Sequence, residues 1–66
     1  MNVYLNGEAR RVDERCTLAE LLESSGHAAR RVAVEVNRDI VPRSRHAEHR
    51  LAEGDRIEIV HAIGGG

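Results

Sequence analysis

Apolar and polar residues alternate at the start of the chain. Met1, Val3 and Leu5 share one face and Asn2 and Tyr4 the other, the period-two pattern of a half-buried strand. Asn6-Gly7 follows, the strongest short-range hairpin signal, because a type I′ turn needs positive φ at both central residues. Residues 8–12 are therefore expected to return as a second strand, and residues 13–16 as a loop. The period then changes. Leu18, Leu21 and Leu22 form an apolar stripe at helical spacing, and Thr17 with Glu20 makes a capping box in which each side chain satisfies a backbone donor near the other. Gly26, just after Ser25, suits a left-handed cap that ends the helix. Cys16, immediately before the cap, is placed to pack on Leu21 as a hydrophobic staple.

Alternation resumes with Val32, Val34 and Val36 against Ala33 and Glu35, which predicts a buried strand. Asn37-Arg38-Asp39 turns the chain, Ile40-Val41 pairs briefly, and Pro42 stops the ladder. A short helical turn is expected over residues 44–50 and a loop turn over residues 52–55. Residues 56–62 read as the last strand. Ile57 and Ile59 point inward, so Glu58, Val60 and Ala62 lie on the opposite face. Ile63 leads into Gly64-Gly65-Gly66. A hairpin cannot bury its apolar face alone, and one helix offers the partner layer. The order predicts an α+β fold: a mixed sheet of four to five strands packed on one main helix, with first and last strands side by side in its centre. Residues 1–62 would form the domain and residues 63–66 a flexible glycine tail.

Composition narrows the function. A chain of 66 residues is one small domain, and with no Phe or Trp its core must be aliphatic. One Cys precludes an internal disulfide and fits a reducing compartment. No apolar run approaches a membrane span and no signal-peptide pattern opens the chain, so a cytoplasmic protein without a membrane partner is expected. The net charge of -1 and the near absence of aromatic residues argue against a nucleic-acid partner. All ten basic residues are Arg, so the chain cannot accept a lysine isopeptide bond.

The glycine end carries the candidate chemistry. Three residues without Cβ can enter a channel closed to side chains. Residues 62–66 span roughly 16–18 Å when extended. The α-carboxyl beyond them, with a pKa of about 3.3–3.7, is ionised and nucleophilic at neutral pH. Such a carboxylate can attack the α-phosphate of ATP, and a persulfide or sulfide can then displace AMP to leave a thiocarboxylate. An idle terminus is the competing reading.

Over its whole length the sequence resembles the thiamine-biosynthesis sulfur carrier family, which implies a ubiquitin-like β-grasp fold. The Asn6-Gly7 hairpin, the Thr17-Leu18-Ala19-Glu20-Leu21-Leu22 helix start and Val32-Ala33-Val34-Glu35-Val36-Asn37 carry the likeness. So do Ile40-Val41-Pro42-Arg43, the segment from Leu51 through Gly54-Asp55 to Val60, and the glycine end. The resemblance implies that Gly66 is the sulfur-carrying residue, adenylated at its C-terminus, with Gly65 and Gly64 threading behind it. Two glycines suffice in the family, so Gly64 is an addition. The resemblance also implies partner contacts through Val60, Ala62 and Ile63. An adenylating enzyme of the ubiquitin-activating type would supply ATP and Mg, a cysteine desulfurase or other sulfur donor the sulfur, and thiazole synthase would receive it. The carrier would hold no cofactor and have no catalytic constellation of its own.

The remaining candidates are structural on their default readings. Cys16 has no fixed cation beside it to lower its pKa. His46 and His49 lack an identified third metal ligand and read as solvated. Ser24 and Ser25 fray the helix end. Arg43, Arg45, His46, His49 and Arg50 form a locally basic, solvated face. Three rivals stay open: a binding module with an idle tail, a ubiquitin-like modifier, and a sulfur carrier for molybdopterin synthesis.

Overall fold

The computed structural model describes residues 1–26 and 32–61. Strands β1 (Asn2–Leu5), β2 (Glu8–Arg11), β3 (Val32–Val36), β4 (Asp39–Ile40) and β5 (Arg56–His61) form one sheet, in the order β2-β1-β5-β3-β4. Helix α1 (Leu18–Ser24) and a 3-10 turn (Arg43–Arg45) complete it. The β1–β5 pair is parallel and the other pairs antiparallel, which gives the expected mixed sheet with first and last strands adjacent.

Local chemistry explains the elements. Asn6 and Gly7 have φ of 49° and 85°, the left-handed pair that the β1–β2 turn requires. Thr17 caps α1 with both bonds of the capping box: its Oγ1 accepts from Glu20 N–H at 3.2 Å, and Glu20 Oε1 accepts from Thr17 N–H at 2.9 Å. The next two amides of the helix start, on Leu18 and Ala19, donate to the carbonyls of His49 and His46 at 2.8 and 3.0 Å. Gly26 turns left-handed at φ 84° beyond the last turn. Cys16 packs against the edge of the core. That core is aliphatic: Val3, Leu5, Leu18, Leu21, Leu22, Val34, Val36, Leu51, Ile57 and Ile59 are all buried between sheet and helix.

Several expectations need correction. β2 ends at Arg11, with Val12 adding one rung through a 2.8 Å bond from its N–H to Met1 O. The second hairpin turns on Asn37-Arg38 alone, both left-handed at φ 52° and 72°, which puts Asp39 in β4. The helical turn is shorter than expected and starts one residue earlier, at Arg43–Arg45, directly after Pro42, whose ψ of 147° is still extended. Ser24 and Ser25 close the helix end, since both hydroxyls donate to Leu21 O, at 3.0 and 2.8 Å. His46 is not solvated: it is 8% exposed, with Nε2 2.9 Å from Val41 O. The turn that carries it folds under the helix start to supply the carbonyls above, and this carries its ring inward. The glycine tail and the last residue assigned to β5, Ala62, lie outside the described residues.

Candidate functional site

Strand alternation divides the sheet into a covered and an open face. Val3, Leu5, Val34, Val36, Ile57 and Ile59 face the helix, so their neighbours in each strand face away. Cross-strand register then decides which open-face residues meet. Tyr4 lies beside Arg56, whose guanidinium carbon stands 5.8 Å above the centre of the Tyr4 ring. Glu58 is opposite Glu35, which in turn faces Ile40. Val60 is opposite Ala33 at the end of β5 nearest the glycine segment. Val60, Tyr4 and Ile40 are exposed at 51%, 41% and 71%.

The arrangement suits recognition. Three large apolar side chains stand in water around a pair of facing carboxylates, and like charges directly opposite one another repel. A shallow recess lined by Tyr4, Gly7, Arg56, Ile57 and Glu58 opens on this face. Among the described residues no group of three His, Cys, Asp or Glu side chains is placed to hold a metal ion. Cys16 is no activated thiol: burial, then the charges of Glu20 and Asp13, push its pKa up from the ordinary thiol value. Its Sγ lies 3.4 Å from Thr17 O.

Of the residues singled out in the sequence, Val60 stands on the open face as alternation required. Ala62, Ile63, Gly64, Gly65 and Gly66 lie outside the described residues. Tyr4 and Arg56 were readable as outward residues, but not as neighbours. Ile40 carried no signal, because a two-residue strand is too short to show a period.

Similarity to known proteins follows this geometry. The model of the ThiS family matches residues 3–66. The chain is 44% identical over 66 residues to a thiazole synthase of Paramagnetospirillum magneticum, covering 100% of this chain but only 20% of that protein. It is 33% identical to the sulfur carrier protein ThiS of Escherichia coli, over 100% of both chains. A crystal structure of a thiamine biosynthesis protein (ThiS) from Geobacter metallireducens superposes with a TM-score of 0.85 at 33% identity, covering 100% of each chain.

Proposed function

The chain belongs to the ThiS family, and on that premise we propose that it is a sulfur carrier of thiamine biosynthesis whose Gly66 carboxylate bears the sulfur. The observation that carries this is the family match running through residue 66, which takes in the whole Gly64-Gly65-Gly66 run. In this reading the carrier is a protein substrate. A carboxylate oxygen of Gly66 attacks the α-phosphorus of ATP, held with Mg by an adenylating partner, and pyrophosphate leaves. The persulfide sulfur of a desulfurase then attacks the acyl carbon and the bond to AMP breaks. A thiol cleaves the S–S bond of the resulting acyl disulfide, becoming a disulfide itself and leaving the thiocarboxylate. The open face around Val60 docks the adenylating enzyme, while Ala62 and Ile63 lead the tail toward its channel. A thiazole synthase is the acceptor, an assignment supported by the thiazole synthase that matches this whole chain within a fifth of its own length.

Pyrophosphate exchange with the cognate adenylating enzyme, followed by intact mass, tests the reading. Wild-type chain should support exchange and gain the mass of one oxygen-for-sulfur replacement. Deleting Gly66 shortens the reach by about 3.3–3.6 Å, too much for in-line attack, and should abolish exchange. Gly65→Val should do the same by meeting the channel walls. Wild-type exchange by either variant would overturn the reading in favour of a binding module with an idle tail.

A further inference from the structure

Asn6 does more than turn the first hairpin. Its N–H donates to Ile57 O at 2.8 Å, and its side-chain Oδ1 accepts from Ile59 N–H at 2.8 Å, across 53 positions of sequence. The β1–β5 ladder ends at Leu5 opposite Ile57, after which β1 swings away through Gly7. Ile59 turns its backbone toward the same side as Ile57, into the place that β1 has left. Ile59 is 7% exposed, and a buried amide without an acceptor is costly. The Asn6 side chain therefore extends the ladder by one rung that no strand supplies. On the other edge, β3 accompanies β5 as far as Val32 opposite His61. Among the described residues, the end of β5 is thus fastened by a whole strand on one side and by a single side-chain amide on the other.

We propose that Asn6 is a positioning residue for the reaction, its side chain setting where the chain leaves the sheet toward Gly66. This rests on the reading of Gly66 as the reacting end. Without the Asn6 rung, the end of β5 peels away on the β1 side and lengthens the stretch that the adenylating enzyme must hold. Each residue so released costs a factor of about 5–30 in productive binding. The carboxylate that reacts is unchanged once seated, so the loss falls on KM and not on kcat.

Two variants separate the rung from the turn. Asn6→Gly removes the acceptor but keeps the left-handed turn, for which Gly-Gly is well suited, and Asn6→Asp keeps both turn and acceptor. Amide hydrogen exchange by NMR reads Ile59 directly and needs no enzyme. Steady-state pyrophosphate exchange reads KM and kcat for the carrier, and thermal midpoints confirm that both variants are folded. In Asn6→Gly, Ile59 N–H should lose protection while Glu58 N–H, which faces β3, keeps it, and KM should rise about 5–30-fold at unchanged kcat. Asn6→Asp should restore both. Unchanged Ile59 protection in Asn6→Gly overturns the proposal, as does wild-type KM once that protection is lost. Failure of Asn6→Asp to restore KM overturns it too. Wild-type chain that is not adenylated at all removes the carrier reading, and this proposal with it, so the wild-type control tells the two failures apart.

Discussion

Leu21→Ala tests the packing on which the whole fold depends. Helix α1 has seven residues, well short of the roughly 12–15 at which an isolated helix becomes even marginal in water. Capping bonds orient it, but burial of Leu18, Leu21 and Leu22 against the sheet holds it. Leu21 is 2% exposed. Truncation removes three buried carbons, about 2.4 kcal/mol at ~0.8 kcal/mol each. The cavity left behind raises the total to about 2–5 kcal/mol. A domain of this length has roughly 3–10 kcal/mol of stability in all. Each kcal/mol lost moves Tm by about 4–8 °C in domains of this size, so Tm should fall by at least about 8 °C. Circular dichroism melts and urea midpoints measure this directly. Val60→Ala is the control. Val60 is 51% exposed, so its truncation should stay within about 0.5 kcal/mol. A Leu21→Ala midpoint equal to wild type, or a Val60→Ala loss of the same size, would refute the assignment of faces.

The other predictions follow from single positions. Val60→Asp should leave Tm nearly unchanged but weaken binding to the adenylating enzyme at least about tenfold in calorimetric titration, since it desolvates a charge at the docking face. Equal affinity would remove Val60 from the interface. Arg38 holds a left-handed φ of 72° without being glycine, so Arg38→Gly should relieve strain and raise the unfolding free energy from urea melts by about 1 kcal/mol. The Cys16 thiol is pushed up from its ordinary pKa in the fold by burial, then by Glu20 and Asp13. Its neutral thiol thus contributes stability that is complete below the unfolded value and is lost as pH rises from there through the folded one. Melts of wild type and Cys16→Ala should diverge only above that unfolded value, and Cys16 should alkylate more slowly at pH 8 than a free cysteine.

Much of this protein was written locally. Asn6-Gly7, the Thr17 and Glu20 capping box and Gly26 each act within about four residues of themselves, so their effects were legible before any fold was known. Alternation along β5 likewise put Val60 on the open face, because the side-chain period of a strand is two whatever it pairs with. Tertiary structure decided what depends on residues far apart in sequence. Only the register makes Glu35 face Glu58 and brings Arg56 over Tyr4. A histidine's chemistry favours the surface, and only the docking of its turn beneath the start of α1 buries His46. Arg38 has no intrinsic preference for a left-handed backbone. The two-residue connection between β3 and β4 imposes it, because only a turn of that hand matches the twist of the strands it joins. The bond from Asn6 to Ile59 had no local signal either: it exists because β1 ends beside β5 and leaves one amide for a side chain to meet.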